Sequence, residues 1–219
     1  LALLAQPMFL LAPDVIRPTA LLCNIIVVTS GTLIFYHEGK INWKEVWPFL
    51  VASIPLAWLG GLIRLEDRIF FLLLGCTLIT ASIFLWKQPR QSLPESKWNT
   101  ALVNTSLGGA FGFISGLVSI GGGIFLSPIL HLLNWNEAKR ISALASLFIL
   151  VNSISGLAGQ WQRGIPQIEW QFILPLLAAV FIGGQIGSRL GARSFNAIYI
   201  RRITAVLILM AGINILMKH

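Results

Sequence analysis

Three consecutive glycines, Gly121, Gly122 and Gly123, sit between Ser119 and the pair Ser127-Pro128 in the stretch GFISGLVSIGGGIFLSPIL, residues 112–130. An interior glycine costs a helix about 0.5–1 kcal/mol relative to alanine and an interior proline about 3 kcal/mol. The spacing therefore predicts a break in an otherwise helical run, and the residue types say what the break can do. Glycine leaves backbone N–H groups unobstructed, and a helix restarting near Ile124 turns its positive dipole end back on them. The hydroxyls of Ser119 and Ser127 flank the gap. Neutral donors converging in this way bind an anion. Asn152, Ser153 and Ser155, in the next apolar segment, can add further donors.

Other chemistries find little support. The eight acidic residues, Asp14, Glu38, Glu45, Glu66, Asp67, Glu95, Glu137 and Glu169, all fall in loops or close to the end of an apolar segment. A carboxylate at membrane depth is the usual relay for protons or sodium, and coupling through one is disfavoured here. Cys23 and Cys76 make no metal-ligand spacing with any histidine and read as free thiols, so neither a metal nor a cofactor is expected. His131, one turn beyond Pro128, reads as an interfacial anchor. An intramembrane serine hydrolase would need a G-x-S-G setting with a histidine on a neighbouring helix. The chain has Gly112-Phe113-Ile114-Ser115-Gly116, one residue too many before the serine, with His131 on the same segment. No catalytic residue is assigned.

The elements that must hold such a site are membrane helices. The chain has 219 residues, 56% hydrophobic and 11% charged, with a mean hydropathy of +0.79. A soluble domain of that length lacks the polar groups to cover its surface at this composition. Apolar segments near 15–36, 43–63, 69–87, 101–133, 141–159, 168–188 and 197–217 approach or exceed the roughly 20 residues needed to cross a bilayer. The fold class is thus all-α, a polytopic membrane bundle whose surroundings are lipid. The formal charge of +8 lies in short loops between apolar segments, where it signals topology and no nucleic-acid partner.

The chain also repeats itself. QPMFLLAP around Pro7 aligns with SPILHLLN around Pro128, and TALLCNIIVVTSG from Thr19 aligns with SALASLFILVNSIS from Ser142. Trp43 and Pro48 then match Trp170 and Pro175, and Gly60 matches Gly187. Residues 1–87 form a first repeat, 88–98 a connecting loop and 99–219 a second repeat, each a Gly/Pro-broken segment plus three spanning helices. The first repeat lacks a glycine run matching 121–123, which symmetry reads as truncation at its start. Its counterparts to the second-repeat site are Gln6, Pro7, Thr29 and Ser30. Broken segments at corresponding places in two halves mark a transporter's binding site.

If the broken segments are re-entrant, the second repeat is inverted. Loops near 37–44, 87–98, 134–140 and 189–202 then share one face with 11 Lys and Arg against 5 elsewhere. That partition obeys the positive-inside rule better than parallel repeats do, so these loops are expected in the cytoplasm. The glycines of GGAFGFISG, Gly108, Gly109, Gly112 and Gly116, suit close helix packing.

The stretch GFISGLVSIGGGIFLSPIL, followed by ISALASLFILVNSISGL and GGQIGSRLGARS, resembles the second half of the sulfite exporter TauE/SafE family. The resemblance implies secondary transport of a small sulfur-containing anion such as sulfite or an organosulfonate. The expected protein is an integral protein of the bacterial inner membrane with a small anionic substrate and room for homo-oligomerisation. A non-transporting membrane assembly factor is the alternative reading.

Overall fold

The computed structural model describes residues 13–87, 100–164, 170–193 and 197–218, and among them it is wholly helical. The helices are α1 (Pro13–His37), α2 (Trp43–Leu62), α3 (Asp67–Lys87), α4 (Ala101–Val118), α5 (Gly123–Leu132), α6 (Ala138–Arg163), α7 (Trp170–Arg193) and α8 (Ala197–Lys218). Helices α1, α2, α3, α4 and α6 are long and apolar enough to cross a membrane. Among the described residues, α7 and α8 carry shorter apolar stretches, Ile173–Ile186 and Arg202–Met217. The connecting loop near 88–98, Gln6 and Pro7 lie outside the described residues.

Close contacts between glycines and facing backbone set the directions. A Cβ at Gly108 would overlap Phe49, one at Gly112 would overlap Ser53, and one at Gly116 would overlap Ala57. Numbers rising together in steps of four mean that α2 and α4 run parallel, joined along a small-residue seam. Helix α6 runs the same way: Gly159 abuts the Trp58 carbonyl and Arg140 reaches Glu45 near the start of α2. Helix α1 runs against them, since Leu21 lies by Gly156 while Gly31 lies by Ser146. Helices α3 and α8 pair antiparallel, with Gly75 against Gly212 and Ser82 donating to the Ala205 carbonyl at 2.8 Å.

The break predicted within 101–133 falls at residues 119–122, where α4 stops and the chain doubles back. Phe125 of α5 stacks on Phe111 of α4, with ring centroids 6.0 Å apart. Leu126 and Leu130 then pack with Leu107, Val46, Phe49 and Trp135. Helix α5 thus returns to the level at which α2 and α4 begin, which makes α4 and α5 the long and short limbs of a hairpin. The polar corner after it closes on the start of α2: Glu45 accepts from Asn42 (2.8 Å), Asn136 (3.0 Å) and Arg140 (3.3 Å).

Two apolar clusters hold the halves of the bundle. One joins α5 to α2 and α6; the other joins α3 and α8 to Ile16 and Val118. Large apolar side chains such as Leu33, Leu72 and Ile203 face outward, where lipid covers them. Exposed Trp43, Trp47 and Trp86 mark one bilayer edge and Trp161 the other, the usual place of interfacial aromatics.

Candidate functional site

The hairpin tip is built by three left-handed residues. Ser119 (φ 61°) ends α4, its N–H still bonded to the Ser115 carbonyl at 2.8 Å. Gly121 (φ 84°) and Gly122 (φ 71°) reverse the chain, and Gly122 caps the start of α5. A β-branched or bulky residue at such φ is an outlier, so glycine is required at these two positions. Added side chains would also collide: a Cβ on Gly122 would lie 2.9 Å from the Phe148 ring and 3.0 Å from the Phe111 carbonyl. Gly121 faces Ile149, Asn24 and Ser153, and Gly123 faces Ile149. Phe148, Ile149 and Ser153 belong to the middle of α6 and Asn24 to the middle of α1, so the tip lies at membrane depth.

Around the tip gathers a set of buried polar atoms without protein partners. Among the described residues the Ser115 hydroxyl, the Ser153 hydroxyl and both polar atoms of the Asn152 amide have no hydrogen-bond partner. All three side chains are at most 1% exposed. Native interiors rarely leave such groups unpaired, because each costs about 1–3 kcal/mol. The N–H groups of Gly121 and Gly122 likewise donate to no backbone carbonyl among the described residues. Ser119 is buried too, and its hydroxyl accepts from Gln160 Nε2 at 3.0 Å. Helix α5, ten residues long, aims its positive end at this cluster.

The chemistry on offer is binding. Hydroxyls, an amide and N–H groups can coordinate oxygens of an anion without a fixed positive charge. The tip glycines, Ser119 and Ser153 are thus brought together, and Asn152 is buried next to Ser153 on α6. Ser127 is half-buried on α5, beyond the tip. Ser155 spends its hydroxyl on the Ile54 carbonyl of α2 at 2.6 Å. Thr29 and Ser30 donate to carbonyls of their own helix, Ile25 at 2.5 Å and Val27 at 3.1 Å. Gln6 and Pro7 fall outside the described residues.

The sequence profile of the family described as sulfite exporter TauE/SafE matches residues 1–215. The chain belongs to this family. Among curated proteins, it is 32% identical over 215 residues to the "Probable membrane transporter protein y4hK" of Sinorhizobium fredii, covering 94% of this chain and 84% of that one. It is 28% identical over 222 residues to the "Probable membrane transporter protein YjnA" of Bacillus subtilis, covering 93% and 85%. No solved structure matches it significantly. The protein is therefore a membrane transporter of the TauE/SafE type, resident in the cell membrane, which is the inner one where a bacterium has two.

Three polar residues of this TauE/SafE protein escape a reading by motif. Ser115 stands in GFISG, where it draws notice only as a failed hydrolase serine. Gln160 interrupts the apolar end of α6, a signal open to a search for polar residues inside spans. Arg17, one of the five basic residues outside the four expected cytoplasmic loops, belongs to α1, which begins at Pro13. Its side chain is 2% exposed, donating to the carbonyls of Ile63 (3.2 Å) and Gly116 (3.3 Å). Pro13 opens the helix, where its missing N–H costs nothing, whereas Pro18 lies inside it beyond the first turn.

Proposed function

We propose that this transporter carries a small oxyanion, of the sulfite or organosulfonate kind, through the site at the hairpin tip. The observation that carries the reading is the set of unpaired buried donors, Ser115, Asn152 and Ser153, gathered around Gly121 and Gly122 at membrane depth. Irregular backbone in a bilayer persists where it is buried in protein or lines a wet path. A neutral donor set suits a ligand that brings its own negative charge, since donors to a charged group gain more than donors to a neutral one. The family is described as sulfite exporter TauE/SafE, which accords with an oxyanion as the substrate.

Two inverted repeats, 1–87 and 99–219, form the frame of this reading. Its support is the packing of counterpart helices: α1 against α6 and α3 against α8, both antiparallel, as a two-fold axis in the membrane plane requires. The loops at 37–44 and 134–140 then lie in the cytoplasm, and the hairpin dips in from that side. No catalytic step belongs to this proposal, and the substrate crosses unchanged.

The test is flux in proteoliposomes loaded with sulfite, sulfate, thiosulfate or a small sulfonate. One of these anions is expected to cross faster than through protein-free vesicles, and Gly122→Val is expected to abolish that flux in protein that remains folded. Equal flux by folded Gly122→Val and wild type would remove the site from the hairpin tip.

A further inference from the structure

A second group of charges, outside the hairpin site, lies where α1 begins and α2 and α6 end. Arg17 and Arg163 both donate to one carbonyl, that of Ile63, at 3.2 and 3.1 Å. Arg163 and Arg64 both pair with one carboxylate, that of Asp14, at 3.6 and 2.8 Å. Two guanidinium groups thus share one carboxylate, and a third, that of Arg17, meets them at the Ile63 carbonyl. Arg17 forms no ion pair among the described residues, and its Nε has no hydrogen-bond partner although the side chain is 2% exposed. It also meets the Gly116 carbonyl and the Phe70 ring, 5.8 Å from the guanidinium carbon, which offer only partial charge, while Asp14 lies one turn earlier on α1 without pairing with it. Glu66 on the adjoining loop and Asp67 and Arg68 at the start of α3 are exposed, and the two carboxylates pair with none of the three arginines among the described residues.

Burying a guanidinium is costly unless a charge answers it, and holding two on one carbonyl raises that cost. Among the described residues, one carboxylate pairs with these guanidinium groups, and it leaves Arg17 without a direct partner of opposite charge. We propose that Arg17, Arg64 and Arg163 form a second oxyanion-binding station at this face, in which Asp14 occupies the place that the transported anion takes. The guanidinium fork matches two oxygens of such an anion as it matches a carboxylate. Exchange of the Asp14 carboxylate for a singly charged oxyanion keeps the same number of negative charges in contact with the guanidinium groups. It also unlatches α1 from Arg64 on the α2–α3 loop and from Arg163 at the end of α6. Arg17 links the station to the hairpin, since it holds the Gly116 carbonyl in the last turns of α4. This inference rests on the oxyanion reading above and names where that anion is captured or released.

The test is equilibrium binding of radiolabelled sulfite to the purified full chain. Asp14→Asn removes the competing carboxylate and is expected to tighten binding about tenfold, while Arg163→Gln weakens it about tenfold, each change worth one charged hydrogen bond. Arg163→Lys is expected to recover part of the loss. Arg64 is 74% exposed on its side chain and dispensable for packing, so Arg64→Gln, expected to weaken binding, covers the case in which Asp14→Asn does not fold. Unchanged affinity in folded Arg64→Gln and Arg163→Gln would overturn the proposal, as would weaker binding in folded Asp14→Asn. The hairpin reading is separated by Ser153→Ala: loss of all sulfite binding there, with the arginines intact, leaves the hairpin as sole site and overturns the station. Arginine-dependent binding by a protein that moves no oxyanion keeps the station and sinks the transport reading.

Discussion

Ser153→Ala should make the protein more stable and less active. The Ser153 side chain is fully buried on α6, and its hydroxyl has no partner among the described residues. An unpaired buried hydroxyl costs about 1–3 kcal/mol, whereas removing it leaves a gap of only one oxygen atom. A net gain of about 1 kcal/mol is expected, which for a chain of 150–250 residues raises Tm by about 2–4 °C. In the anion complex the same hydroxyl donates to a charged oxygen, an interaction worth about 1.5–3 kcal/mol, so its loss weakens apparent affinity by about 10–100-fold. The assay pairs a thermal melt in detergent with sulfite flux from proteoliposomes over a concentration series. Opposite signs are the signature, since a hydroxyl kept for packing would lose both properties together or neither. A destabilised Ser153→Ala that transports with wild-type KM would refute the argument that these unpaired donors are held for a ligand.

Gly116→Leu should prevent folding, because even a Cβ there overlaps the Ala57 backbone and neither helix can yield; yield of monodisperse protein reports it. Gly122→Ala is expected to cost about 1–2 kcal/mol from its left-handed φ alone, with further loss from contact with the Phe148 ring, and a melting curve checks the sum. Glu45→Gln breaks a partly exposed pair with Arg140 and should lower stability by less than about 1 kcal/mol, an effect that fades in high salt. Single cysteines at Thr100 and Asn136, in a background lacking Cys23 and Cys76, should label from one side of the membrane and a cysteine at Glu66 from the other; opposite labelling of the first two would remove the hairpin. Transport should be indifferent to sodium, and a strict sodium requirement would reveal a cation site among carbonyls and hydroxyls.

The bundle was legible because lipid imposes one simple rule, about 20 apolar residues per crossing, and the segments at 43–63 and 69–87 obey it without interruption. The glycine run announced its own break, since three adjacent glycines and a nearby proline are expensive in any helix. Packing of Gly108, Gly112 and Gly116 was legible by spacing, because residues four apart share a helix face. Arg17 was not. Whether a cation near a helix end meets water or protein depends on the helix beside it, which the spacing along α1 does not state.

The order of residues alone determined that this chain is a membrane bundle, where its longest apolar run breaks, and that backbone N–H groups are bare at the break. Those properties depend on composition and local propensity, which each segment carries with it. Tertiary structure decided which side chains surround the bare groups. Ser153 reaches the tip because α6 runs parallel to α4 and passes behind it, while Ser155, on another face of the same helix, turns to the Ile54 carbonyl. It also decided the charge pattern at the far face, where residues 14, 17, 64 and 163 meet through the ends of three helices. Convergence of distant segments is a property of packing, and no spacing along the chain encodes it.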